Sequence, residues 1–242
     1  MTQIGFKSNT GVIRNNNEDA CFVIPSHDVY VVADGVGGNN AGEIASRTAV
    51  RGIAEYVAAN PIEECADEEA IYNYFSQCLE QVNDEIYQMG RKHKENKGMA
   101  TTAVIACVKD DTAYIINIGD SRAYLYRGGR IMQITVDHTY VNELLKTGMI
   151  TTEEAKNHSQ KNVITRALGA EPAVMADFFQ ASVEKGDILM LCSDGLYGEV
   201  PERKLEEILD RQNPMPETCA RLVEEAIRSG GRDNITVVCL KI

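Results

Sequence analysis

The chain has 242 residues, 44% of them apolar, with 36 acidic residues against 24 basic ones and a formal net charge of −12. The acidic balance argues against nucleic acid and against anionic membranes, both of which select basic surfaces. No apolar stretch exceeds about six residues, far below the ~20 that span a bilayer, and the opening residues lack the apolar core of a signal peptide, so a cytoplasmic protein is expected.

The first notable segment is polar. It places Arg14, Glu18 and Asp19 immediately before a strand, and a second apolar run, Val29-Tyr30-Val31-Val32-Ala33, then ends at Asp34-Gly35. Such a run predicts a buried strand delivering a carboxylate at its tip, where glycine lets the backbone turn sharply. The glycine-rich loop that follows lacks the Lys-Ser/Thr of a P-loop and the third glycine of a dinucleotide fingerprint. Two helices are predicted next, over about residues 43–60 and 67–89. The second carries a long one-sided stripe (Ile71, Phe75, Cys78, Leu79, Val82, Ile86, Met89) that reads as core contact.

Strands over residues 102–108, 113–118 and 122–127 are joined by short turns, which implies antiparallel neighbours. The middle strand runs into Gly119-Asp120. Residues 139–168 are polar and helix-prone, a candidate flap inserted between strands. Strands over 176–182 and 188–192 follow, the latter leading into Ser193-Asp194-Gly195. Helices over 202–210 and 217–229 precede Asp233-Asn234, which opens a last apolar strand. Strands grouped with strands and helices with helices predict an α+β fold layered around antiparallel sheets. No linker interrupts the chain, so residues 1–242 are expected to form one domain. The seven cysteines form no Cys-x-x-Cys pair, and several sit inside apolar strands, so they read as reduced core residues.

Four aspartates therefore stand at strand ends: Asp34, Asp120, Asp194 and Asp233. Two like charges ~4 Å apart repel by roughly 4 kcal/mol at an effective dielectric of ~20, so convergence of the four calls for cations. All-oxygen ligation selects Mg²⁺ or Mn²⁺. Two such ions suit hydrolysis of a phosphate ester by in-line attack of an activated water. Arg14 could clamp the phosphate in a bidentate fork.

Taken in order, the motifs are Arg-x-x-Asn-Glu-Asp (14–19), Ala-Asp-Gly-x-Gly-Gly (33–38), Gly-x-x-Thr-Thr (98–102), Gly-Asp-Ser-Arg (119–122), Asp-His (137–138), Ser-Asp-Gly (193–195) and Asp-Asn-Ile-Thr (233–236). This series resembles that of the metal-dependent protein serine/threonine phosphatases, the protein phosphatase 2C (PPM) family, in its stand-alone bacterial form. The resemblance covers essentially the whole chain. It implies a central β-sandwich of two antiparallel sheets flanked by antiparallel helix pairs. It also implies hydrolysis of phosphoserine and phosphothreonine in proteins at a two-metal Mn²⁺ or Mg²⁺ centre, opposing Ser/Thr kinases, with a monomer expected. On this resemblance Asp34 would bridge two metals and the Gly35 carbonyl would complete one of them. Asp194 and Asp233 would hold the other, and Asp120 with Asp194 would form a weaker third site. Arg14 would bind the substrate phosphate, and Glu18 and Asp19 would act through water or from the outer shell. The insert at 139–168 corresponds to the family's flap. One position departs: animal members carry histidine after the first Asp-Gly, and here it is Val36. Two other readings compete, a non-catalytic phosphoprotein-binding regulator and a metal-dependent phosphatase of small phosphate esters.

Overall fold

A computed structural model describes residues 3–38 and 41–242. In chain order its elements are β1 (Gln3–Asn9), β2 (Asp19–Ile24), β3 (Val29–Val36), α1 (Ala41–Ala59), α2 (Glu68–Lys92), β4 (Ala100–Thr101), β5 (Ala103–Lys109), β6 (Thr112–Ile118), β7 (Arg122–Arg127) and β8 (Arg130–Gln133). They continue with α3 (Tyr140–Lys146), α4 (Thr152–Lys156), β9 (Asp177–Ser182), β10 (Ile188–Cys192), α5 (Asp194–Tyr197), α6 (Glu202–Leu209), α7 (Met215–Ser229) and β11 (Ile235–Lys241). One sheet has the order β1-β11-β10-β7-β8 and the other β2-β3-β5-β6-β9, with β4 attached to β3. Every pairing between named strands is antiparallel.

Alternation along the strands separates three cores. Tyr30, Val32, Val104, Leu189, Leu191 and Val238 point between the two sheets. Their neighbours Val29, Val31, Ile105 and Ile116 point outward onto the stripe of α2 and onto Ala45, Ala49 and Ile53 of α1. On the other side Met190, Val237 and Cys239 meet Leu205, Leu222 and Val223 of α6 and α7. Strands apolar on both faces are what a four-layer α-β-β-α stack requires. The predicted sandwich and its helix pairs are therefore present. Asp67 caps α2 by accepting from the Ala70 N–H at 2.9 Å, which fixes its start. No helix among the described residues is long and apolar enough to cross a membrane. All seven cysteines are free, and six of them are buried.

Several expectations are corrected. The strand predicted to stop at Asp34 runs on to Val36, because Gly35 and Val36 pair with Thr101 and Ala100. The strand expected over 102–108 is β5, and a separate two-residue strand, β4, precedes it across Thr102, whose N–H and hydroxyl both turn to the backbone of Asp34. Four elements have no counterpart among the expected ones: β1, β4, β8 and α5. β1 is an edge strand with one fully buried residue, and β8 is a mostly exposed edge, so neither carries a strong apolar signature. The insert at 139–168 contains α3 and α4, the latter closed by a capping box between Thr151 and Glu154. Its two ends are held together where Thr139 bridges Ile164 and the Tyr140 N–H donates to the Val163 carbonyl at 2.8 Å.

Candidate active site

Arg14, Glu18, Asp34, Gly35, Asp120, Asp194 and Asp233 line one cavity of about 290 Å³. A larger cavity of about 780 Å³ adjoins it, sharing Asp120, Asp194 and Asp233 and extending under the flap to Lys156, Lys161 and Arg232. The four tip aspartates thus line one cleft.

Each is placed by a different strand end. Asp34 stands within β3, paired across the ladder with Asp19 of β2. Its carbonyl accepts from the Thr101 hydroxyl and the Thr102 N–H, each at 2.9 Å, and its N–H donates to the Thr102 hydroxyl at 2.9 Å. The Thr102 hydroxyl in turn meets Ser121 at 2.7 Å. Thr101, Thr102 and Ser121 thus form a clamp on the Asp34 backbone that does not engage its carboxylate. Asp120 follows Gly119 in the turn from β6 to β7. Asp194 is the first residue of α5, the one-turn helix into which the expected Asp-Gly turn resolves. Asp233 stands two residues before β11 and accepts from Arg14 Nη2 at 2.8 Å.

Gly35 fits only without a side chain. A Cβ there would run into the carbonyl of Gly42 and, at 2.6 Å, that of Glu18. Gly195 is similar, lying against the Asn234 carbonyl. Gly35→Ala is expected to destabilise the fold by about 2–3 kcal/mol through this overlap, a drop of ~5–10 °C in Tm that a thermal melt will read.

Electrostatics show the strain of convergence. Burial pushes the Asp34 carboxyl well above its ordinary range, and Asp19, Asp194, Asp120 and Asp233 push it further. Asp120 is raised to about 7 by burial and by Asp194, and Asp194 to about 6 by burial and by Asp233. Asp19 is raised to about 7 by burial, against the Ser193 hydroxyl that donates to its Oδ2 at 2.7 Å. Its Oδ1 is buried without a hydrogen-bond partner.

These observations fit hard divalent ions. Burial and mutual repulsion raise these carboxyls, a cost that bound cations would relieve, and every side-chain donor is oxygen. Among the described residues no three His, Cys, Asp or Glu side chains form a ready-made ion cage. Mg²⁺-type ions bind through one or two carboxylates and keep several waters.

The sequence reading did not anticipate the role of Asn234. Its Nδ2 donates to the carbonyls of Thr10 and Asn16, each at 2.9 Å, and its Oδ1 accepts the Glu18 N–H at 2.8 Å. One buried amide therefore ties the Arg14 loop to the Asp233 turn. Its place after Asp233 was the only available signal. Val36 lines the cavity and is exposed, with no proton to give. None of the four histidines lines either cavity. His158 instead accepts the Gln160 N–H at 3.1 Å within the flap.

A fold of this layering with acidic strand tips in one cleft defines a class of metal-dependent phosphatases, and comparison with known proteins agrees. The family model described as protein phosphatase 2C matches residues 13–228. The chain is similar to the serine/threonine phosphatase stp of Listeria monocytogenes, 38% identical over 98% of this chain and 94% of that one. Among solved structures, the serine/threonine phosphatase of S. agalactiae is 31% identical with a TM-score of 0.94, covering all of both chains. The catalytic domain of the phosphatase PstP, solved in complex with 2 manganese ions, is 32% identical with a TM-score of 0.86, over 99% of this chain and 97% of that one. The chain belongs to the protein phosphatase 2C family.

Proposed function

We propose that this protein is a Mn²⁺- or Mg²⁺-dependent phosphatase of phosphoserine and phosphothreonine proteins. The observation that carries the reading is the convergence of Asp34, Asp120, Asp194 and Asp233 on the cavity at whose rim Arg14 stands. The naming of full-length relatives supports it.

Asp34 and the Gly35 carbonyl would hold one ion, Asp34 would bridge to a second held with Asp194 and Asp233, and Asp120 with Asp194 would hold a weaker third. Such ions lower the pKa of water and neutralise charge on a phosphoryl group. The chain's own residues do the remaining work. Arg14 presents a planar guanidinium to the phosphate, already oriented by Asp233. Asp19, hydrogen-bonded to Ser193, backs Asp34 from the neighbouring strand, and Glu18 lines the same wall. No histidine reaches the cavity, so the proton for the leaving oxygen does not come from an imidazole. Residues 1–242 act as one catalytic unit, monomeric and cytoplasmic, with 139–168 as a flap shaping access. It serves signalling by opposing a Ser/Thr kinase and has no role at nucleic acid or membranes.

The test is turnover of a phosphothreonine peptide with Mn²⁺, compared with that of sugar phosphates. Preference for the peptide supports the reading, and preference for the sugar phosphates would replace it with a small-ester phosphatase. Turnover of neither would leave a phosphoprotein-binding regulator. Arg14→Ala is expected to lower kcat/KM on the peptide by about 10- to 100-fold, the loss of a charge-assisted fork worth ~1.5–3 kcal/mol. Unchanged steady-state kinetics in that variant would remove Arg14 from the phosphate site.

A further inference from the structure

Asp120 sits on a short turn whose preceding residue, Gly119, has φ +99°. A carboxylate on such a turn is placed only as well as its backbone is held. Here the backbone is held from two sides. On one side the Gly119 N–H donates to His138 Nδ1 at 3.0 Å, and the His138 N–H returns to the Gly119 carbonyl at 2.9 Å. On the other side the Tyr197 hydroxyl donates to the Asp120 carbonyl at 2.9 Å.

The two sides are joined into a ring. Asp137, next to His138, accepts from Arg122 Nε and Nη2 at 2.9 and 2.6 Å. The Arg122 guanidinium lies 3.5 Å from the Tyr197 ring centroid, a stacked cation–π contact. Tyr197 therefore has a fixed ring and a single hydroxyl bond to the Asp120 turn. Its own helix makes that bond consequential. α5 is one turn long, with Asp194 at its start and Tyr197 at its end. The hydroxyl ties the helix that carries one carboxylate to the turn that carries the other.

We propose that Tyr197 is a positioning residue that fixes the spacing between Asp120 and Asp194, and thereby the affinity for the most weakly held cation of the cavity. This rests on the reading of Asp120 and Asp194 as ligands. The bond it depends on joins side chain to backbone, so it acts on where Asp120 stands and leaves its charge unchanged. The flap is rooted in the same ring. The Asn142 amide donates to the Asp137 carbonyl at 2.9 Å, and the Thr165 N–H donates to the His138 carbonyl at 2.8 Å.

The experiment is Mn²⁺ titration of the metal-stripped full chain by calorimetry, on the unmodified protein, Tyr197→Phe and Asp120→Asn. Phenylalanine keeps the ring over Arg122 and removes only the hydroxyl. Tyr197→Phe is expected to leave the tight binding steps unchanged and to weaken the weakest one by about 3- to 10-fold, the scale of one hydrogen bond. Its kcat is expected to return to the unmodified value at saturating Mn²⁺, with the activation midpoint moved by the same factor. Asp120→Asn is expected to abolish the weakest step. If Asp120→Asn abolishes that step and Tyr197→Phe leaves it intact, the positioning role is overturned while the ligand reading stands. If Asp120→Asn leaves all steps intact, the ligand reading itself fails. A uniform weakening of every step in Tyr197→Phe, or a lowered kcat at saturating metal, would show a merely structural role and overturn the proposal.

Discussion

Asp34→Asn is expected to reduce turnover of a phosphothreonine peptide by about a thousandfold or more, roughly 4 kcal/mol of transition-state stabilisation, without unfolding the protein. The two halves of this expectation have separate causes. Asp34 feels four neighbouring aspartates: Asp19, Asp194, Asp120 and Asp233 all raise its carboxyl. It is the group whose charge most needs cations and whose loss most weakens their hold. Its backbone, however, is fixed by Thr101 and Thr102, and an amide of the same shape leaves those bonds intact. Removing one of several repelling charges also relieves the metal-free state, so its Tm should stay level or rise. A contrasting variant is Asp187→Asn, at the far end of β10. Asp187 is buried and forked to Arg127 at 2.6 and 2.9 Å, and burial outweighed by that pairing leaves its carboxyl below the ordinary range. Its loss should lower Tm and spare kcat. Peptide turnover in Asp34→Asn within tenfold of the unmodified protein would remove Asp34 from the centre of the chemistry.

The contrast between these aspartates shows what the sequence can disclose. The apolar runs ending at Asp34 and Asp194 are legible because strands buried on both faces are continuous in sequence. The stripe of α2 is legible because one face repeats every turn. Convergence of the tips was expected from chemistry, since no local pattern states which strand ends meet. What escaped was held by single polar contacts between distant segments. Asn234 bonds to residues more than 200 positions away, and Tyr197 reaches Asp120 across 77 positions. An asparagine or a tyrosine with such a role looks like any other in a string of letters. β1 escaped for a related reason: its Gly5 is pressed onto the backbone of Met215 and Pro216, so one buried residue carries no side-chain signal. α5 escaped because Ser-Asp-Gly reads equally as a turn, and only the packing of Leu196 into the helix-side core winds it into a helix.

The metal-free protein is expected to lose stability as pH rises from about 5.5 to 8, and saturating Mn²⁺ is expected to cancel that loss. The raised carboxyls dictate the sign. A group whose folded pKa lies above its unfolded one stabilises the fold fully below the unfolded value, near 4 for Asp. It loses that stabilisation as pH rises through the folded value. For Asp194 that value is about 6, and for Asp19 and Asp120 about 7, so the loss begins near pH 4, continues through pH 5.5–7 and is complete by about pH 8. A single carboxyl raised by about three pKa units would account for ~4 kcal/mol, and interaction between neighbours keeps the total below a simple sum. At ~2–4 °C per kcal/mol for a chain of this size, a fall of about 10 °C in Tm is expected. The lowered carboxyls of Asp177 and Asp187 act with the opposite sign but below the ordinary Asp range, outside this window. Cations reverse the trend because they bind the deprotonated cluster and only in the folded state. At a hundredfold excess over Kd each adds ~2.7 kcal/mol, so two offset the repulsion that deprotonation exposes. Binding must then release protons, most near pH 6–7, which calorimetry in buffers of different ionisation enthalpy will count. A metal-free Tm that rises from pH 5.5 to 8, or Mn²⁺ binding at pH 6.5 with no proton release, would mean that the carboxyls do not repel one another as their placement requires.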